Sequence, residues 1–112
     1  MEYRKHIQRV IAYIEDNLKT DMDNVSLAAI AGYSEYHFLR LFKEVVKLTP
    51  MDYIRKRRLT EIVKQMMKSN RSASDIAFEY GFNSKENFTR AFKAEHKILP
   101  TEFRTTQNSL KL

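Results

Sequence analysis

Two arginines, Arg40 and Arg90, hold the same place in two similar stretches, EYHFLRLFK and KENFTRAFK, and each is followed three residues later by a lysine, Lys43 or Lys93. A guanidinium on an exposed helix face can pair through two parallel hydrogen bonds with O6 and N7 of guanine, worth about 1 to 3 kcal/mol of discrimination. An ammonium has no fixed fork geometry and suits a phosphate, which positions a protein without reading sequence. Arg40 and Arg90 are therefore candidate base readers, with a phosphate contact or a solvated charge as the plainer alternative, and Lys43 and Lys93 are candidate backbone contacts. Beside Arg40, Tyr36 can reach a phosphate or sugar, and Leu39 is either a thymine-methyl contact or one of the scattered leucines of any surface. Beside Arg90 lie Lys85, Glu86 and Thr89. Glu86 can accept from cytosine N4 or merely complement a helix dipole, and Thr89 can reach a base or a phosphate. The run Arg55, Lys56, Arg57, Arg58 supplies Arg55 and Arg57 as further phosphate candidates. Successive helical residues turn by about 100°, so the run cannot share one face, and one or two members should pair with acids such as Asp52 or Glu61.

Other chemistry drops out. The 112 residues include no cysteine, which removes a thiol nucleophile, a disulfide framework and a Cys-ligated metal site. His6, His37 and His96 have no ligand spacing, so neither metal nor cofactor is expected. No phosphate-cradling glycine loop and no catalytic pair is present, so the chain is not read as an enzyme. The net charge of +6 is uneven: residues 1 to 25 carry four Lys/Arg against five Asp/Glu, leaving the surplus on residues 26 to 112. That surplus favours a polyanionic partner, nucleic acid before membrane. No apolar run approaches the roughly 18 residues that span a bilayer, and a cytoplasmic protein is the default reading.

The elements that must position these side chains follow from an internal repeat. Residues 27 to 53 lie over residues 76 to 103, matching Ala28 with Ala77, Gly32 with Gly81, Tyr33 with Phe82, Ser34 with Ser84, Phe38 with Phe88, Phe42 with Phe92 and Pro50 with Pro100. The chain's only two glycines and only two prolines thus fall at matched points. Ile7, Val10, Ile11, Ile14 and Leu18 form one stripe of a first helix over residues 6 to 18. Asp23 and Ser72 read as N-caps of two short helices, the second with Asp75 in a capping-box-like place, and each stops at a glycine. Ser34 and Ser84 then cap longer helices with Phe38, Leu41, Phe42 and Val45, or Phe88, Ala91 and Phe92, on the buried side. Thr49 with Pro50 opens a connector helix to about Lys68, with Ile54, Leu59, Ile62, Val63 and Met66 as its stripe. Pro100 starts a last short helix anchored by Phe103, and the following TTQNSLKL, which has no apolar period, is expected to fray. No strand signal appears.

A short helix, a glycine turn and a second helix with one apolar and one basic face make a helix-turn-helix, whose second helix enters the major groove of DNA. The fold expected is all-α, with one such subdomain over residues 1–49, a linker helix over 50–68, a second subdomain over 69–106 and a tail over 107–112. A connector of about 18 residues is roughly 27 Å long, comparable to the ~34 Å turn of B-DNA, so one chain could read two successive groove segments. The two reading faces differ at most outward positions, which implies an asymmetric target.

The segments GYSEYHFLRLFK, TPMDYIRKRRL and IAFEYGFNSKENFTRAFK, in that order, resemble the AraC/XylS-type transcription regulators over nearly the whole chain. That resemblance implies a bacterial, sequence-specific regulator that binds double-stranded DNA as a monomer, activates promoters and contacts RNA polymerase. The chain departs from the family pattern at Lys85 and Glu86, where uncharged polar residues are frequent, and at Lys47 and Lys97, where glycine is frequent. A left-handed backbone at a lysine costs about 1 kcal/mol or more. The competing readings are a protein-interaction adaptor without specific DNA affinity, against which the paired arginines speak, and a membrane-surface protein, against which the aromatic core stripes behind the basic faces speak. With no room for a ligand-binding domain, control is expected through protein level if the chain is complete, or through a missing domain if it is a fragment.

Overall fold

The computed structural model describes residues 2–110. Seven helices follow one another, α1 Glu2–Asp16, α2 Asn24–Ala31, α3 Glu35–Val46, α4 Pro50–Lys68, α5 Ala73–Glu79, α6 Lys85–His96 and α7 Pro100–Leu110, with no strand among the described residues. The all-α expectation holds. The chain divides into two compact units, Met1–Arg57 and Arg58–Leu112.

In the first unit the helix stripes close on one another. Ile7, Val10, Ile14, Leu27, Phe38 and Phe42 are fully excluded from solvent, and Leu18, just past the end of α1, is nearly so. Phe42 meets Phe38 and Tyr53 edge-on, with ring centroids 5.7 and 5.8 Å apart, a geometry that aligns positive ring edges with negative faces. Glu15 of α1 is gripped by α4: Arg57 donates from Nε and Nη2 to its two carboxylate oxygens, each at 2.8 Å, and Tyr53 donates at 3.2 Å. Burial pushes the Tyr53 hydroxyl's pKa up, and the neighbouring Glu15 carboxylate adds to it.

The second unit repeats this core with Ile62, Met66, Ile76, Phe88 and Phe92 buried. Phe92 meets Phe88 at 5.6 Å and Phe103 at 6.2 Å, so Phe103 anchors α7 as its spacing predicts. The last helix corrects one expectation: it does not fray after Thr105 but continues to Leu110. Its register is held by polar bonds instead of an apolar stripe. Arg104 donates to the carbonyls of Ser69 and Arg71, and Gln107 to that of Met66. Residues 111 and 112 of the expected tail lie outside the described residues.

Local signals account for most helix ends. Asp23, Ser34, Thr49, Ser72 and Ser84 each accept a backbone N–H three residues on, from Ser26, His37, Asp52, Asp75 and Asn87. At α7 the cap runs the other way, the Glu102 carboxylate accepting the Leu99 N–H at 2.8 Å. The Ser26 backbone N–H and then its hydroxyl hold the Asp23 carboxyl below its ordinary value. A depressed carboxylate contributes stability above its unfolded pKa and loses it as pH falls through the folded one. Asp23→Asn, which keeps an acceptor but no charge, should therefore differ from wild type at neutral pH and converge with it in acid, a trend that melting curves across that range would reveal.

Lys47 and Lys97, at the ends of α3 and α6, both take the left-handed conformation, with φ of 72° and 70°. Each backbone N–H still closes on the carbonyl four residues earlier, at Lys43 and Lys93, so the turn has the shape that a glycine would serve. Lys97 recovers part of the cost by donating its Nζ to the Ala94 carbonyl at 3.0 Å. Lys47→Gly should raise stability by about 0.5 to 1 kcal/mol after the added flexibility of the unfolded chain is counted, and Lys97→Gly by less. Denaturant midpoints of the two variants measure the difference.

Candidate nucleic-acid interface

Each unit sets its reading helix by the same backbone device. The N–H of Tyr33 bonds to the Ala28 carbonyl at 3.0 Å, and that of Phe82 to the Ala77 carbonyl at 3.2 Å, across glycines with φ of 82° and 92°. This left-handed closure ends the first helix and redirects the chain into the second. The two turns differ in their surroundings. A side chain at position 32 would meet open space, whereas one at position 81 would begin 3.3 Å from the Arg58 guanidinium.

On α3 the buried Phe38 and Phe42 face inward, leaving Tyr36, Arg40 and Lys43 exposed and Leu39 half-buried. The Arg40 guanidinium lies over the Tyr36 ring, 5.9 Å from its centroid, an attraction that narrows the arginine's range. On α6 Phe88 and Phe92 face inward, Lys85, Glu86, Arg90 and Lys93 are exposed, and Thr89 is half-buried. Within each unit, then, one helix brings its candidate residues to a single face.

The α4 run is placed differently. Arg55 is exposed but pairs with Asp52 at 2.6 Å, the acid its spacing suggests. Arg57 is half-buried and held by both oxygens of Glu15, so it is not available as an open phosphate contact. Sequence reasoning missed this partner because the two residues are 42 positions apart. Arg58 lies against Gly81. Lys43 and Lys93, which are exposed and make no ion pair among the described residues, remain the backbone candidates. His37 sits on the first turn of α3, edge-on to Tyr33 with ring centroids 5.0 Å apart; Tyr33 in turn bonds His6 through its hydroxyl at 2.7 Å. No cluster of metal-ligating side chains occurs among the described residues, and no described helix is long and apolar enough to cross a membrane.

Two copies of a helix, a left-handed glycine turn and a second helix with an outward basic face make this a helix-turn-helix protein. The profile of a helix-turn-helix domain family matches residues 27–106. AarP of Providencia stuartii, a helix-turn-helix transcriptional activator, is 33% identical over 108 residues, covering 90% of this chain and 80% of its own length. YbfP of Bacillus subtilis, an uncharacterized helix-turn-helix transcriptional regulator, is 34% identical over 105 residues, 94% of this chain but 36% of YbfP. Among solved structures, the DNA-binding domain of AdpA, a global transcriptional factor in complex with a target DNA, superposes with a TM-score of 0.86 over 92% of this chain and 93% of that one, at 22% identity. The chain belongs to the AraC/XylS family of DNA-binding transcription regulators. That family and these relatives are regulators, not enzymes.

Proposed function

We propose that the chain reads a bipartite, asymmetric DNA site, α3 contacting one major-groove segment and α6 a second. The observation that carries this reading is the matched pair of exposed arginines, Arg40 and Arg90, each on a helix redirected by the same glycine turn. Tyr36, Leu39 and Arg40 contact bases or the adjoining backbone in the first segment, and Lys85, Glu86, Thr89 and Arg90 in the second. Lys43 and Lys93 hold phosphates. The outward faces differ in charge, because Lys85 and Glu86 stand in α6 where α3 has Glu35 and Tyr36. Two unlike faces favour a non-palindromic target bound by one chain. The likeness to AarP supports activation of transcription, with RNA polymerase as the protein partner and cytoplasmic DNA as the place of action.

Selection of duplexes from a random pool tests this, followed by affinity measurements against salt. The expected product is an asymmetric motif with two blocks. Lys43→Ala should weaken binding to every duplex alike and reduce the salt slope by about one. Salt-sensitive binding with no enriched sequence would overturn the reading, and no binding at all would favour an adaptor.

A further inference from the structure

The second unit contains a groove that DNA reading does not account for. It has a volume of about 520 Å³ and lies between the start of α5 with the loop before it, the first half of α6 and the start of α7. That size falls within the range of pockets that enclose small organic ligands. Phe88 and Pro100, both buried, line it together with Ala73 and Leu99, while Lys85 and Thr89 stand at its α6 side.

Its charge is one-sided. Arg71, Lys85 and Arg104 all line it, and among the described residues no carboxylate does. Arg71 is paired with Glu79 at 2.6 Å, and Arg104 bonds to the Ser69 and Arg71 carbonyls. Among the described residues Lys85 makes neither ion pair nor hydrogen bond, and Arg104 keeps its charge because its bonds go to neutral carbonyls, so two positive charges are left for an occupant, the Lys85 ammonium being the one with no partner. An apolar wall beside two uncompensated cations suits an apolar body bearing one negative group, since the body leaves water while the charge finds partners.

We propose that this groove binds a small organic carboxylate with an apolar body. Such an occupant lies against Lys85 and Thr89, two residues assigned above to the second DNA segment. Resting on that assignment, the ligand competes with DNA at the α6 block and leaves the α3 block untouched. The site thus provides a route by which an organic acid lowers promoter affinity.

Titration of the DNA-free protein with 2-naphthoate and with its neutral analogue 2-naphthamide, read by amide NMR shifts, tests the groove alone. Saturable shifts should concentrate at residues 72–74, 85–89 and 99–104. Naphthoate should bind at least tenfold more tightly than naphthamide, and Lys85→Gln, a substitution at an exposed position, should reduce that preference several-fold while naphthamide binding stays. Equal affinities, shifts without saturation, or a preference that Lys85→Gln leaves unchanged would overturn the proposal. A second arm adds naphthoate to the protein on duplexes with either block scrambled. Weaker binding only where the α6 block is intact supports competition; a saturable groove without competition overturns the regulatory part and locates the error in the α6 assignment, not in the ligand site.

Discussion

Arg40→Ala is expected to weaken binding to the selected duplex by about 1 to 3 kcal/mol, roughly 5- to 150-fold, with the loss confined to one block of the site. Arg90→Ala should lose a similar amount at the other block. The argument is geometric. Both side chains are exposed on faces opposite buried phenylalanines, so truncation leaves the cores of Phe38 and Phe42, or Phe88 and Phe92, as they were. Arg40 is in addition held over the Tyr36 ring, which reduces the ordering it must undergo on meeting a base. The measurement is affinity of each variant for the full duplex and for duplexes with one block scrambled. Once its own block is scrambled, a variant should bind like wild type. Equal losses on selected and random DNA would reduce both arginines to phosphate contacts.

Phe42→Ala should cost about 3 to 5 kcal/mol, and Phe92→Ala a similar amount, each in its own unit. Both rings are fully buried and each touches two or more aromatic neighbours, so removal leaves a cavity that rigid helices cannot close. A domain's whole stability is about 5 to 15 kcal/mol, and units of this size sit at the low end. Hydrogen exchange distinguishes the units: Phe42→Ala should strip protection from amides of α2 and α3 while those of α5 and α6 keep theirs, and Phe92→Ala should do the reverse. Uniform loss across both sets in either variant would mean that the chain unfolds as one cooperative body.

Features set by neighbours in sequence were legible in the sequence. Asp23, Ser34, Thr49, Ser72 and Ser84 cap the helices they precede because a cap depends only on the next three residues. The repeat placed both glycine turns, and the helical period placed Phe38, Phe42, Phe88 and Phe92 inside. Illegible features depend on partners far along the chain. The grip of Arg57 on Glu15, the approach of Arg58 to Gly81 and the tethering of Arg104 to the loop before α5 join segments that no period relates. Tyr80 shows the same limit: it is buried, and that burial raises the pKa of its hydroxyl, yet at the end of a short helix no stripe marks it as core. The groove beside α6 was invisible for a similar reason, since its lining comes from three helices.

The two glycine turns have unequal histories open to them. At position 32 only the backbone angle restricts the residue, so an asparagine, which tolerates that angle, is a single substitution with no neighbour to disturb. At position 81 the angle is the same kind of restriction, and an added side chain would in addition begin 3.3 Å from the end of the Arg58 side chain, which must give by a few tenths of an ångström. A change there becomes acceptable more readily after Arg58 has been shortened or redirected, so the order in which the two substitutions arise matters. One copy leaves the space beside its turn open while the other sets its turn close against the connector, so at this point the halves of the repeat are not exchangeable parts.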